Sequence, residues 1–303
     1  MLANIQDLLA KAGNCPILKM TVAAAEDEVV IESVLKAYEL NIVDPILIGN
    51  QNKIKSIIAN LDYKFTGEII ATETRKQSAH KAMELINNGK ADFPMKGLLS
   101  SRVILKAMLN KKYNLRQKRL LSLITLLYLK KEDRLLIITD GGMNINPGLD
   151  DKVQIVKNAV EFARTIGIKK PRVAPLAAVE KVNPAMQATL DAAALAKMAD
   201  RGQIKNAIID GPLAFDNAID IKAARHKGIK SPVAGKVDIL LAPDIESGNI
   251  LYKSLIYYSG LEAASVVYGA RLPLVLTSRA DNMKTKLNSI ALGKLVTLDL
   301  KSY

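Results

Sequence analysis

Apolar positions in this chain switch repeatedly between two periods. Ile17–Ala24 and Pro45–Gly49 are short, mostly apolar runs of the kind that make buried strands, whereas Glu28–Leu40 spaces its apolar residues three and four apart, as one face of a helix does. The same reading predicts helices near Asn52–Asn60, Lys76–Asn87 and Arg102–Asn110, with a short element at Ala91–Met95. The style then changes. Leu120–Leu129 and Leu135–Thr139 are β-rich runs joined by a charged segment, Lys130 to Arg134, which predicts an antiparallel hairpin.

After the loop Asp140–Pro147 a second alternating series begins. Asp150 or Asp151 caps a predicted helix that stops at Gly167, followed by a strand at Arg172–Ala177, a helix opened by Asn183-Pro184 and a strand at Asn206–Asp210. Pro175 cannot donate to a sheet and argues for an edge position or a bulge. Strands at Val237–Leu241, Ala264–Tyr268 and Pro273–Thr277, a helix at Glu246–Tyr258 and a last helix at Asn282–Leu295 complete the pattern. Alternation through both halves predicts an α/β protein whose sheets are covered by helices and bind ligands beyond the carboxyl ends of their strands. The domain boundary is expected in or near the Asp140–Pro147 loop.

At 303 residues, 49% hydrophobic and 24% charged, the chain is long enough for two such domains. Its longest mainly apolar run, Leu120–Leu129, is interrupted by Ser122 and Thr125 and falls short of the ~20 residues of a membrane span. The N-terminal segment lacks a cationic start followed by an apolar block, so no export is expected. A single cysteine, Cys15, and two separated histidines, His80 and His226, suggest a reducing cytoplasm and no metal site. Cys15 reads as a packed thiol, His80 as a helix residue among Lys and Ala, and His226 as a helix-end residue suited to the helix dipole.

Charge changes the picture further. The net charge is +13, and ten Lys or Arg fall between Arg102 and Arg134 against Glu132 and Asp133. Such a patch is either a solvated surface or a partner for polyanions: nucleic acid, an acidic membrane surface or a phosphate-rich cofactor. With no Trp and 4% aromatics, base stacking is poorly served, so nucleic acid is the weakest of these options; a membrane is not an expected partner either.

Four loops after predicted strands combine glycine with small polar residues: Asp140–Asn144, Asp210–Asn217, Ala242–Asn249 and Thr277–Asp281. Each opens toward a helix, where unpaired N–H groups suit an anion, although Asp, Asn and Ser there also serve as ordinary caps. No Gly-x-x-x-x-Gly-Lys-Ser/Thr loop, no Gly-x-Gly-x-x-Gly after the first strand and no Gly-x-Ser-x-Gly elbow occurs.

At these loops the sequence resembles the phosphate acetyl/butyryltransferase family, its butyryl branch above all. The resemblance rests on Ala23-Ala-Ala-Glu-Asp27, Thr139-Asp-Gly-Gly-Met-Asn-Ile-Asn-Pro147, the stretch Ala177–Thr189, Asp210-Gly-Pro-Leu-Ala-Phe-Asp-Asn-Ala218, Ser231-Pro-Val-Ala-Gly-Lys-Val-Asp238, Pro243–Lys253 and Leu276-Thr-Ser-Arg-Ala-Asp281. It implies two α/β/α domains with a cleft between them, similar to isocitrate and isopropylmalate dehydrogenases. In that arrangement residues 1–140 plus about 270–303 form the first domain and 141–269 the second. It also implies a homodimer or higher homo-oligomer and the reversible transfer of a short-chain acyl group, butyryl favoured, between coenzyme A and inorganic phosphate. Coenzyme A enters as substrate, with no tightly bound cofactor and no metal. A phosphate acetyltransferase and a non-catalytic acyl-CoA sensor of the same fold are the alternatives.

For the residues, the resemblance implies Ser278 bonding to the reacting thiol or oxyanion and Arg279 neutralising phosphate charge. Lys96, in Met95-Lys-Gly-Leu98, matches a short motif and is a candidate phosphate ligand; Arg75 and Lys106 are weaker matches. The matched loops supply Asp140, Gly142, Asn144, Pro232, Gly235, Asp244, Asn249 and Lys253 as candidate substrate-binding residues. One departure stands out: the acetyltransferase branch has a proposed base, an Asp, seven positions after the serine, and here that position is Thr285. Asp281 is the nearest carboxylate, readable either as that base or as the N-cap of the last helix.

Overall fold

A computed structural model describes residues 2–302. In chain order the elements are α1 (Ile5–Gly13), β1 (Leu18–Ala23), α2 (Glu28–Glu39), β2 (Val43–Gly49), α3 (Gln51–Asn60), β3 (Ile69–Ala71), α4 (Arg75–Asn87), β4 (Phe93–Lys96) and α5 (Ser101–Met108). The hairpin β5 (Ser122–Leu129) and β6 (Arg134–Thr139) follows, then α6 (Leu149–Thr165), β7 (Arg172–Pro175), α7 (Gln187–Asp200) and β8 (Ile208–Ile209). Next come α8 (Phe215–Ile219), α9 (Ile221–His226), β9 (Ile239–Leu241), α10 (Ile245–Tyr257), β10 (Glu262–Tyr268), β11 (Leu274–Val275) and α11 (Met283–Lys301).

The contacts divide the chain into two compact units, one of Ile5–Arg119 with Ala263–Tyr303 and one of Leu120–Glu262 with the first four residues. These divisions fall about 20 and 8 residues before the positions expected from the sequence, 140 and about 270. The hairpin belongs to the middle segment because β6 runs parallel to β9, Ile137 opposite Ile239 and Thr139 opposite Leu241.

In the unit that contains both ends of the chain, neighbouring strands run β3-β2-β1-β4-β11-β10. All pairs are parallel except the antiparallel β10 and β11. Helix α11 is buried at every residue from Thr285 to Thr297, so it shows no polar stripe despite carrying Asn288, Ser289 and Lys294. Each of these polar groups has a partner. Asn288 donates to Ala263 O at 3.3 Å and Ser289 Oγ accepts from Ser265 N at 2.9 Å. Lys294 Nζ donates to Ala12 O at 2.6 Å, Cys15 O at 3.1 Å and Asn41 O at 3.4 Å. It thereby satisfies carbonyls left open just where α1 and α2 end. Gly293 lets α11 come close: a Cβ there would stand 2.5 Å from Val275 Cγ2 and 3.1 Å from Phe93 Cε2.

In the other unit the order is β5-β6-β9-β7-β8. Pro175 is neither on an edge strand nor in a bulge. It closes β7, in register with Leu241 of β9. Alternate N–H groups of a parallel strand face opposite neighbours. Leu176 N donates to Leu241 O at 2.9 Å, so position 175 would face β8, whose pairing stops at Ile209 opposite Val173. No donor is missed there. Asn183-Pro184 likewise does not open α7; it forms a turn three residues earlier, with Asn183 Oδ1 accepting from Ala185 N at 3.0 Å and Thr189 Oγ1 accepting from Asn183 N at 2.9 Å. Helices α6 and α7 are joined by a buried ion pair, Lys152 Nζ to Asp191 Oδ2 at 2.6 Å, with Gln187 Nε2 on the other carboxylate oxygen at 2.8 Å. His80, read as a packed helix residue, lies beside Tyr113, its Nδ1 3.0 Å from the phenol oxygen.

Candidate active site

Because β1, β4 and β11 are adjacent and parallel, the loops that follow them emerge side by side. Gly97 makes this possible. Its N–H donates to Ala23 O at 2.9 Å, the next N–H, of Leu98, reaches Ala24 O at 2.6 Å, and a Cβ on Gly97 would lie 2.2 Å from Ala24 O. Three segments far apart in sequence therefore meet in one small niche, which holds Asp27, Lys96, Ser278, Arg279 and Lys286 on its walls and about 10 Å³ of free space.

The turn that carries Ser278 and Arg279 is tied at both ends. Asp281 Oδ2 accepts from Ser278 N at 2.7 Å, and Lys286 Nζ donates to Ser278 O at 2.8 Å. The side chains of Ser278 and Arg279 stay exposed above this frame. The cap of α11 is Asn282, whose Oδ1 accepts from Thr285 N at 2.9 Å, so the cap reading of Asp281 gives way to a turn-closing role one residue earlier. Asp27 caps α2 through Val30 N at 3.0 Å.

The niche is short of negative charge. Lys96 and Lys286 are buried, 5% and 2% exposed, and lie with Arg279 on walls where Asp27 supplies the one carboxylate among the lining residues, with Asp281 acting on both lysines from beside it. Burial, then the Lys286 and Arg279 charges, push the Lys96 amine down to about 8, with Asp281 and Asp27 opposing. Burial also lowers Lys286 against the same two carboxylates. A group that is costly to charge in an empty pocket becomes easy to charge once an anion arrives. Of the residues on the niche walls, the sequence offered Lys96, Ser278 and Arg279 as candidates but not Lys286, which reads as one more lysine in Lys284-Thr-Lys286; only its position in the buried stretch of α11 distinguishes it.

Apart from Arg75 and Lys106, the remaining expected residues lie in the other unit, and most shape loops. Asp140 is 3% exposed and knots its own turn, accepting from Gly142 N and Met143 N at 3.0 Å, from Asn144 N at 3.2 Å and from Asn144 Nδ2 at 2.5 Å. Burial raises its carboxyl pKa, and these hydrogen bonds act against the rise. Asn249 Nδ2 donates to Gly141 O at 3.1 Å. Gly248 lies so close that a Cβ there would sit 2.8 Å from Gly141 Cα. Asp244 caps α10 through Ser247 N at 2.8 Å. Gly235 adopts φ +68, and a Cβ there would meet Ile221 Cα at 2.5 Å, so it serves a close approach of backbones. Pro232 and Lys253 are exposed. Arg75 lies with Arg279 on the wall of a second cavity, and Lys106 is exposed in the last turn of α5.

The family model described as phosphate acetyl/butaryl transferase matches residues 63–293. The phosphate butyryltransferase of Clostridium acetobutylicum is 44% identical over 297 residues, 98% of this chain and 99% of that protein. The phosphate acetyltransferase of Thermotoga maritima is 42% identical over 275 residues, 91% of this chain and 94% of that one. Among solved structures, a branched-chain phosphotransacylase from Enterococcus faecalis V583 superposes with a TM-score of 0.82 at 29% identity, covering 92% of this chain and 99% of its own. On the family match and on these near full-length identities, the chain belongs to the phosphate acetyl/butaryl transferase family.

Proposed function

We propose that this chain transfers a short-chain acyl group reversibly between coenzyme A and inorganic phosphate, and that the chemistry takes place at the Ser278-Arg279 turn. The observation that carries this reading is the cationic niche of Lys96, Arg279 and Lys286, built where three strand-following loops meet. In the direction that consumes acyl phosphate, Arg279 and the two lysines hold the phosphate oxygens. The coenzyme A sulfur, as thiolate, forms a bond to the carbonyl carbon, and the tetrahedral oxyanion then collapses as the bond to the phosphate oxygen breaks. Ser278 Oγ is the donor for that oxyanion; removing one such donor typically costs about 2.7 to 4 kcal/mol. Asp281, occupied by Ser278 N–H, acts as a positioning residue that fixes the turn. Thr285 leaves the helix without the carboxylate found at that position in the acetyltransferase branch. The cationic field around the niche is what favours thiolate here, since a free thiol near pKa 8.5 is only a few per cent ionised at neutral pH.

The direct test follows thiol release from butyryl-CoA on adding phosphate, beside acetyl-CoA and a phosphate-free control. Phosphate-dependent release, faster with butyryl-CoA, supports the reading. Faster release from acetyl-CoA makes the chain a phosphate acetyltransferase; release without phosphate dependence makes it a thioesterase; binding of acyl-CoA without any release makes it a sensor.

Lys96 gives the phosphate step a pH dependence. An anion favours the charged amine, which is already present below about pH 8 in the empty site. Above that pH, phosphate must bring a proton with it, so its affinity falls as pH rises. The KM for phosphate, measured from pH 6.5 to 9.5, is expected to be flat at first and to climb above pH 8, by up to about tenfold per unit. Lys96→Met should raise KM at neutral pH and remove most of the climb. An unchanged profile would take Lys96 out of the phosphate site.

Self-association is the second part of the proposal. Helix α10 buries only Gly248, while Ile250 is 65% exposed and Tyr258, at its end, 96% exposed. Such a patch on one helix suits the centre of an interface between copies of the chain. Sedimentation at micromolar concentration is expected to show a dimer, and Ile250→Asp with Tyr258→Asp to give monomers; a monomeric parent would remove this proposal. No helix among the described residues is long and apolar enough to cross a membrane. The free Cys15 accords with a reducing cytoplasm.

A further inference from the structure

Beside the cationic niche lies a second cavity of about 200 Å³, lined by Arg75, Leu98, Leu99, Ser100, Val103 and Arg279. The two spaces share Leu98 and Arg279, so they adjoin at the turn where the reacting carbonyl is placed. Their characters differ. The niche has room for about one water-sized group and is walled by charge, which suits a single phosphate oxygen and excludes a hydrocarbon chain. In the neighbouring cavity Leu98, Leu99 and Val103 form an apolar wall, with the guanidinium groups of Arg75 and Arg279 and the hydroxyl of Ser100 as the polar lining. On a scale where one water needs about 10 to 15 Å³, the space takes roughly thirteen to twenty water-sized groups, ample for a four-carbon chain with a methyl branch.

The wall is also held firmly. Leu98 and Leu99 belong to the segment fixed by the backbone bonds of Gly97 and Leu98 to the end of β1, and Leu99 N donates to Gly97 O at 2.9 Å. Leu99 is 2% exposed, and Val103 sits in the first turn of α5 with its side chain only partly covered. Opposite, Arg75 begins α4 behind a capping box in which Thr74 and Gln77 bond reciprocally. A rigid wall can discriminate by size, because an extra methylene meets fixed atoms and not a yielding surface.

We propose that this cavity is the acyl pocket and that Leu98 and Val103 set the chain length the enzyme accepts. The inference rests on the acyl-transfer reading and adds to it the residues that measure the substrate. The carbonyl lies at Ser278 and Arg279, and the alkyl chain passes over Leu98 to end against Val103. Four carbons with or without a branch fit with space to spare, and a longer chain is stopped at Val103.

The test compares kcat/KM for acetyl-CoA, butyryl-CoA and hexanoyl-CoA, at saturating phosphate, in the parent and in two variants. Val103→Phe fills the pocket and should lower the butyryl-to-acetyl ratio by about 10- to 200-fold, the range expected when a pocket rejects a methylene. Val103→Ala deepens it and should raise the hexanoyl-to-butyryl ratio by about tenfold. Should the larger side chain prevent folding, shown by loss of a cooperative melt, the smaller one decides the matter alone. Ratios that stay within about twofold of the parent while transfer remains measurable remove the pocket assignment and leave the acyl-transfer reading standing. A parent that releases no thiol from any of the three in a phosphate-dependent way removes both.

Discussion

Arg279→Lys is expected to lower turnover with phosphate by about tenfold to a thousandfold, equivalent to about 1.4 to 4 kcal/mol of lost transition-state stabilisation. The charge survives this change but the planar fork does not, and a phosphate that loses two parallel N–H···O bonds gains only one point contact in return. Because Arg279 stands exposed on a turn framed by Asp281 and Lys286, the fold does not depend on it. The melting temperature should stay within a degree or two of the parent, as for most surface changes. Ser278→Ala should show a comparable loss through the acyl oxygen. Steady-state transfer measured in both directions beside a melting curve separates the cases. Near-normal turnover would remove Arg279 from the mechanism, and a collapsed melt would show a structural ion pair instead of a reacting group.

The largest effect on stability is expected at the other unit's buried ion pair. Lys152→Met leaves Asp191 with Gln187 as partner but without a counter-charge, in a place where its side chain is 6% exposed. Orphaning one member of such a pair typically costs about 3 to 5 kcal/mol. At about 2 to 4 °C per kcal/mol for a chain segment of this size, the melting temperature should fall by roughly 6 to 20 °C. Replacing both partners, Lys152→Met with Asp191→Leu, removes the uncompensated charge as well and should recover most of the loss. A double variant as unstable as the single one would mean that the pair holds α6 and α7 through geometry that apolar packing does not replace. A single variant of unchanged stability would show that the pair contributes nothing.

What the sequence disclosed follows from what side-chain periodicity reports. The two alternating series and the β5–β6 hairpin were legible because each element buries one face or two, and burial writes itself as a period. Helix α11 is different. Buried all round from Thr285 to Thr297, it carries lysines at 286 and 294 that look like solvent-facing charges in a one-dimensional reading. Only the fold shows that one anchors the Ser278-Arg279 turn and the other closes the ends of two helices. The turn itself was legible as Ser278-Arg279. Which of Asp281 and Asn282 caps the helix was not, because both residue types cap equally well and the choice is made by where Ser278 N–H points. The edges of the two compact units were not legible in the glycine-rich loop for a related reason. A loop rich in glycine marks a place where backbone comes close to backbone, as Gly141 does to Gly248, and that is a property of a site as much as of a border between units.

The unit that carries Lys96 and Ser278 is assembled from both ends of the chain, and this has a consequence on the ribosome. Strands β1 to β4 leave the exit tunnel long before β11 and α11, since Leu120–Glu262 must be made in between. At about 5 to 20 residues per second that interval lasts roughly 7 to 30 s. Throughout it, the open edge of β4 and the side of Phe93 later covered by Gly293 have no native cover, while the middle segment has all its own strands and can fold first. The nascent protein thus acquires its second-born unit before its first-born one. A ribosome-bound chain that ends at residue 262, followed by a linker long enough to bring that residue clear of the exit tunnel, should accordingly resist protease in Leu120–Glu262 and be cut readily in Ile5–Arg119.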